Sequence, residues 1–304
     1  MQTQTGPTTP STPSRFAELV SRMPRPVEKG QWTGILGEVD DAEVRGAVEQ
    51  LYAGGREAVV GLVDMLAEPE VTPRGEGEEE PRRTDSQARH ALHALVTYAC
   101  GKGEESRRAV SAALASTLNG RRPKGARAFV ARQLVLCGGA EAAPALGKQL
   151  GDEAVYADAA MALEKVVGPE AAEQFRAALA SPGAAQWPAR QRAAVVKGLG
   201  VVRDANSVEV LRKAAGDAEP EVRLAAVWAL ARTGDAGAAD VVTKVADEMK
   251  GSDRFRATDA CLLLAETLAG AGKNDEAKKI YRHLHDTRTA PDEQHVRRAV
   301  EGRI

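Results

Sequence analysis

Apolar residues return along most of this chain at the three- and four-residue spacing of one helix face. In the clearest segment, 221–235, Arg223 is followed seven residues later by Leu230 within an almost wholly apolar stretch. The same step of seven leads from residues 89, 127, 156, 192 and 256 to Val96, Leu134, Leu163, Leu199 and Leu263. A helical unit that returns every 29–38 residues predicts a solenoid, because each unit buries its apolar face only against its neighbours.

A second amphipathic stretch follows each of these segments, as in 208–215 and 239–246. Each unit is therefore predicted to be a pair of helices. Gly234–Asp235 and Gly168–Pro169 stand where first helices should end, since glycine tolerates a left-handed cap and proline opens the next helix. No alternating run of β-branched residues competes with this interpretation. The pattern therefore predicts an all-α fold.

The unit resembles the HEAT repeat, and more closely the short bacterial HEAT-like repeats. HEAT repeats place an aspartate six residues before an arginine, as Asp217 precedes Arg223, and those side chains form a ladder between successive repeats. Arg89, Arg127, Arg192 and Arg256 have no aspartate six residues earlier, so the resemblance rests mainly on the apolar pattern. It covers residues 40–304 and is clearest over 84–251. It implies a right-handed α-solenoid of about seven antiparallel helix pairs, an α/α superhelix of the armadillo/HEAT type.

The last full pair is similar to a tetratricopeptide repeat, which has a similar size and stacks in the same way. The spacing rests on Leu264–Ala265, Leu268, Gly272, Ala277, Tyr281 and Leu284. Residues 295–304 then look like the opening helix of one more HEAT-like unit, which either caps the array or begins a longer one. We expect its stripe of Val296, Ala299, Val300 and Ile304 to dock on Ala277, Ile280, Tyr281 and Leu284.

Composition divides the chain into three parts. Residues 1–14 are polar and proline-rich and are predicted to be a disordered tail, and residues 15–39 are predicted to be a capping element for the first repeat. The array is predicted to occupy residues 40–304, interrupted by a disordered acidic loop at 68–83.

No basic start with an apolar stretch marks a signal peptide, and no apolar run reaches the roughly 18 residues of a membrane span. The three cysteines, Cys100, Cys137 and Cys261, are odd in number and lie in apolar helix, which is typical of reduced thiols. We therefore expect a cytoplasmic protein, and the resemblance to the short bacterial HEAT-like repeats implies a bacterial one.

Catalytic and cofactor-binding motifs are absent from the sequence, so the prediction is a non-enzymatic protein without a cofactor. His90 and His93 lie three apart on one helix face, but no acidic or cysteine ligand follows at a suitable spacing, so no metal site is predicted. The di-iron enzymes built on HEAT-like repeats use His–Glu motifs, and no His–Glu dipeptide occurs here.

Curved helical-repeat surfaces usually bind proteins, and in the HEAT family the second helices line the concave side. The resemblance therefore implies a scaffold or adaptor that binds a protein partner. Its candidate binding residues are Glu173, Arg176, Glu209, Arg212, Lys213, Asp240, Lys244 and Asp247. They carry both signs of charge, which suits a protein groove better than a phosphate track.

Two other functions stay open. The net charge of −2 argues against a general nucleic-acid binder, yet residues 101–132 carry a local charge of +6. That patch, which could contact a phosphate backbone, comprises Lys102, Arg107, Arg108, Arg121, Arg122, Lys124, Arg127 and Arg132. The repeat type also occurs in HEAT-like lyases that attach bilins, although no matching motif supports such an accessory or lyase role.

Overall fold

The computed structural model describes residues 14–24, 41–67 and 85–304. Most of the predicted tail, the second part of the predicted cap and the predicted acidic loop at 68–83 lie outside the described residues. Within the described ranges the chain is helical and contains no strand.

Helix α1 (Ser14–Ser21) precedes seven helix pairs and the single helix α16 (Gln294–Glu301). The first helices of the pairs are α2 (Asp41–Ala53), α4 (Ser86–Gly101), α6 (Lys124–Cys137), α8 (Tyr156–Leu163), α10 (Ala189–Val202), α12 (Pro220–Thr233) and α14 (Gly251–Gly270). The second helices are α3 (Gly55–Asp64), α5 (Glu104–Ala115), α7 (Ala143–Gln149), α9 (Pro169–Ala180), α11 (Val208–Ala214), α13 (Ala239–Glu248) and α15 (Asn274–Thr287). The prediction of an all-α solenoid of about seven pairs is therefore confirmed for the described residues.

Five of the six apolar positions that the step of seven predicts lie in the core. Val96, Leu134, Leu163, Leu199 and Leu230 are all inaccessible to solvent. In α14 the predicted register is wrong by one residue, because Leu264 is buried and Leu263 is only half-buried. This helix is the longest of the described first helices, and its buried face follows the tetratricopeptide-like spacing instead of the HEAT-like step from Arg256.

The turns between paired helices explain where first helices end. Gly234 follows α12 in the left-handed conformation, with φ of 68°. Arg203 occupies the corresponding place after α10 with φ of 53°, where a side chain makes the conformation costly. Short 3₁₀ turns at Ala205–Ser207 and Ala236–Ala238 then lead into α11 and α13.

The chain forms two compact units, residues 1–146 and 147–304. In the first unit, α1 packs against α2, α3 and α4, and Phe16 in this helix and Met23 just after it are buried. Gln87 on α4 donates to the carbonyl of Met23 at 2.5 Å, which ties α1 to the second pair. Gly61 on α3 leaves room for the Phe16 ring, since a Cβ there would approach it to 2.9 Å.

In the second unit the first helices α8, α10, α12 and α14 pack side by side in one layer, and each second helix packs on its own first helix or that of the next pair. Glycine permits the closest contacts: a Cβ at Gly198 would overlap the ring of Phe175, and one at Gly200 would approach the Ala229 backbone to 2.7 Å. The array therefore depends on small residues at helix contacts.

Helix α16 packs on α15, as predicted, and buries Val296 and Val300. Ala277, Ile280, Tyr281 and Leu284 on α15 are also buried. The predicted apolar stripe was wrong at two positions, because Ala299 and Ile304 are exposed. The helix ends at Glu301, so Ile304 lies beyond its last turn.

Candidate functional site

The second helices of the second unit repeat one surface register. Phe175, Leu211 and Val242 point into the core with no exposed area. Two residues before them, on α9, α11 and α13, stand the exposed carboxylates of Glu173, Glu209 and Asp240. Residues at equivalent helical positions of stacked repeats form a column across the array.

A second column lies one residue after the same buried positions, at Arg176 and Arg212. Arg176 forms a short ion pair with Asp204, and Arg212 Nη2 lies 3.2 Å from Asp235 Oδ2. Asp204 and Asp235 precede the second helix of the following repeat, seven residues before its buried position. Each arginine thus ties its own repeat to the next one.

Unit 1 contains a related pair between α5 and the turn before α7. Arg107 lies 2.7 Å from Glu104 and 2.9 Å from Glu141, and it also donates to the Cys137 carbonyl. Burial is the largest single influence and acts to raise the pKa of the Glu141 carboxyl, but the hydrogen bond and charge of Arg107 and the other hydrogen bonds to this carboxylate together outweigh it, so this pKa lies below its ordinary value.

The first helices are linked by a separate pair. Arg192 on α10 holds Asp217, just before α12, with two hydrogen bonds of 3.1 and 2.9 Å. Arg223, the arginine of the Asp217 repeat, donates instead to the carbonyls of Asp217 and Ala218, each at 2.9 Å. The Asp217 carboxylate therefore accepts hydrogen bonds from an arginine of the previous repeat, as a ladder between successive HEAT repeats requires.

The pKa of Asp217 reflects this position. Burial works to raise it, whereas the hydrogen bonds from Arg192 and from the Glu219 amide favour the ionised form more strongly. The net result is a pKa below the ordinary aspartate value.

The predicted partner-binding residues therefore fall into three groups. Glu173, Glu209, Lys213, Asp240 and Lys244 are exposed on α9, α11 and α13. Arg176 and Arg212 are half-buried, and their ion pairs with Asp204 and Asp235 form what we call the second-helix ladder. Asp247, at the end of α13, belongs to a different cluster.

That cluster surrounds Arg288, whose side chain is fully buried after α15. Arg288 donates to Asp247 Oδ1 at 2.6 Å and to Thr258 Oγ1 at 3.0 Å, and lies 3.7 Å from Glu293. Glu293 is also almost fully buried and pairs with Arg254 at 2.5 Å. Sequence reasoning missed this cluster, because neither Arg288 nor Glu293 stands in an apolar stretch that signals burial.

The predicted basic patch divides into two groups at opposite ends of α5, whose 12 residues span about 18 Å. The groups are Lys102, Arg107 and Arg108 at its start, and Arg121, Arg122, Lys124 and Arg127 after its end, with Arg132 further along α6.

Several of these charges are already compensated. Arg107 has the two glutamates described above, and Arg122 lies 2.7 Å from Asp64. Arg127 is buried and donates to the Arg122 carbonyl. Less positive charge therefore faces solvent than the sequence suggested, which weakens the case for phosphate-backbone binding.

His90 and His93 are both exposed, and His93 Nδ1 lies 3.0 Å from Gln133 Oε1. No group of three or more potential ligands suited to a metal ion occurs in the described part of the chain. Burial raises the pKa of Cys137 and of Cys261 to about 12, so these thiols are poor nucleophiles. None of the helices described in residues 14–24, 41–67 and 85–304 is long and apolar enough for a membrane span.

A family model for HEAT repeats matches residues 184–261, which include α10 to α13 and therefore the Arg192–Asp217 pair. The complex of CpcE and CpcF of phycocyanin lyase from Nostoc sp. PCC7120 is 20% identical, with a TM-score of 0.41, over 78% of this chain and all of the other. A crystal structure of an engineered protein is 19% identical, with a TM-score of 0.34, over 94% of this chain and 82% of the other. No curated protein matches. Both structural resemblances are too remote to indicate a function.

Proposed function

Because this chain is a HEAT-like helical repeat protein, we propose that it is a non-enzymatic interaction scaffold that binds a protein partner along α9, α11 and α13. The observation that carries this proposal is the repeated register of the second helices. Glu173, Glu209 and Asp240 stand exposed at equivalent positions, and Lys213 and Lys244 occupy another equivalent pair of positions. Such columns present charge at regular intervals to an elongated partner.

The second-helix ladder supports the same function, because it holds two arginine side chains of this surface in place before a partner binds. Asp204 and Asp235 hold Arg176 and Arg212, so these side chains lose little conformational freedom when a partner arrives. Charges of both signs also suit a polar protein interface better than nucleic acid. Arg176 and Arg212 therefore hold successive second helices in register, whereas the exposed side chains contact the partner.

The test replaces exposed charges without touching the ladder. The variant carries alanine at Glu173, Asp240 and Lys244, and its control carries alanine at Glu221, Asp259 and Lys197 on the first helices. Both triples remove two exposed acids and one exposed lysine. Proteins that co-purify with the tagged wild-type chain are quantified by mass spectrometry and then measured against both variants.

A partner of this surface should be retained by the control and reduced at least about tenfold by the second-helix triple, since central contacts each contribute about 1 kcal/mol or more. Equal retention of every co-purifying protein by the two triples would refute the proposed surface. Circular dichroism of both variants checks that the helical fold is kept.

A further inference from the structure

A cavity of about 450 Å³, broadly open to solvent, lies in the second unit between the C-terminal half of α14 and the first half of α15. Its lining residues are Glu266, Ala269, Asn274, Ala277, Lys278, Tyr281 and Arg303. This volume falls in the range of small-molecule sites. None of these residues belongs to the proposed partner surface on α9, α11 and α13.

The cavity lies where the chain after α16 returns to the end of α14, while α16 itself packs on α15. Near the start of α14, Arg254 pairs with Glu293 at 2.5 Å, and the rings of Phe255 and His295 lie 6.2 Å apart. Near its end, Arg303 lies 2.8 Å from Glu266. The tight apolar packing of α16 is against α15 instead, so space stays open beside the last turns of α14.

The floor of this space is apolar and well ordered by its packing. Ala277 and the Tyr281 ring are buried, and Ala269 is half-buried. The two alanines leave the volume that larger side chains would fill. An apolar group placed there would lose contact with water and lie against the Tyr281 ring.

The rim carries one more positive than negative charge. The Arg303 guanidinium bonds to Glu266 and lies 3.3 Å from the Tyr281 hydroxyl and 5.7 Å from its ring centre, so the Glu266 carboxylate is already paired. Lys278 has no ion pair among the described residues, and the Asn274 amide stands one helical turn before it. An incoming anion would meet two donors and a second cation.

From this arrangement we propose that the cavity binds a carboxylate that carries an apolar body. The apolar body lies on Ala269, Ala277 and Tyr281. The carboxylate accepts hydrogen bonds from Lys278 Nζ and Asn274 Nδ2, with Arg303 as the second positive group. This proposal does not depend on the proposed partner surface, so either one can be correct without the other.

Isothermal titration with 4-phenylbutyrate tests the proposal on the full chain. Binding should saturate, and 4-phenylbutylamine, which has the same body and the opposite charge, should bind at least about tenfold more weakly. Lys278→Met should lower the affinity for 4-phenylbutyrate about tenfold or more, because a charged hydrogen-bond donor is lost. Lys279→Met, at the exposed neighbouring lysine outside the cavity, is the control and should leave it within twofold.

A second variant fills the cavity without changing charge. Ala269→Leu should abolish binding while circular dichroism stays unchanged. The same chemistry can come from a free acid or from an acidic, apolar segment of a protein, so acetyl-Leu-Glu-Leu-amide is titrated as the second probe. Binding of either probe that is weakened about tenfold or more in K278M and abolished in A269L supports the site and identifies the source.

Three results would overturn it: saturation by neither probe, equal binding of the amine, or equal affinities of K278M and K279M.

Discussion

Replacing Arg288 with methionine should release the C-terminal helices from the rest of the second unit. The guanidinium joins Asp247 at the end of α13, Thr258 on α14 and Glu293 before α16. Methionine keeps much of the apolar stem, so the main loss is charge and hydrogen bonding and not volume. Glu293 would stay buried with Arg254 as its remaining partner.

The cost follows from the burial of both charged groups. Removing one partner of a buried ion pair typically costs about 3–5 kcal/mol, because the other charge is left without full compensation. Arg288 Nη2 has no hydrogen-bond partner within the described residues, so part of its own burial is already uncompensated. We therefore take the lower end, about 3 kcal/mol, which corresponds to about a hundredfold larger population of the detached state.

Native-state hydrogen exchange is the appropriate assay, because an array of repeats need not unfold in one step. Amides of α15 and α16 should exchange about a hundredfold faster in R288M, whereas those of α10 should change little. Arg282→Met, at an exposed arginine on α15, is the control. Protection in α15 and α16 that stays within threefold of wild type, or the same loss in R282M, would refute the reasoning.

Four further predictions concern the array itself. Gly198→Ala should lower the free energy of unfolding by about 1–3 kcal/mol in urea titrations, because the new Cβ overlaps the Phe175 ring. Gly46→Ala, where a Cβ meets nothing within 4 Å, should instead raise it by about 0.5–1 kcal/mol. Arg203→Gly should raise the melting temperature, since glycine relieves about 1 kcal/mol of left-handed strain at φ of 53°; a lower melting temperature would contradict this. The lowered pKa of Asp217 means that its stabilisation is present above the ordinary value of 3.8 and is lost as pH falls through the lower folded value. The melting temperatures of wild type and Asp217→Asn should therefore differ at pH 7 and converge in acid, and a constant difference would contradict the assignment.

The apolar period predicted the helix pairs because burial of Leu134, Leu199 and Leu230 is a local consequence of helical spacing. The partners of the polar residues were harder to predict, since they lie in other repeats. Asp204 and Asp235 do recur at one place before second helices, and Arg176 and Arg212 recur at one place within them, so aligning the second helices could have revealed the ladder.

The cluster around Arg288 and the cavity beside Tyr281 offered no such signal. Both depend on how α16 returns against α14 and α15, which is a matter of three-dimensional packing at the last repeat. Arg288 and Glu293 look like ordinary surface residues in the sequence, and only their mutual compensation permits burial. Periodicity carries no information about an element that departs from the period.

The ladder between second helices also bears on how such an array can lengthen during evolution. Residues 204–234 contain the aspartate that pairs with the preceding arginine and the arginine that pairs with the following aspartate. A tandem duplication of this segment would place the new Asp204 beside Arg212 of the first copy, and the new Arg212 beside Asp235. Both copies of Arg212 would then face an aspartate without any compensating mutation. The gene can thus gain a repeat in one recombination event.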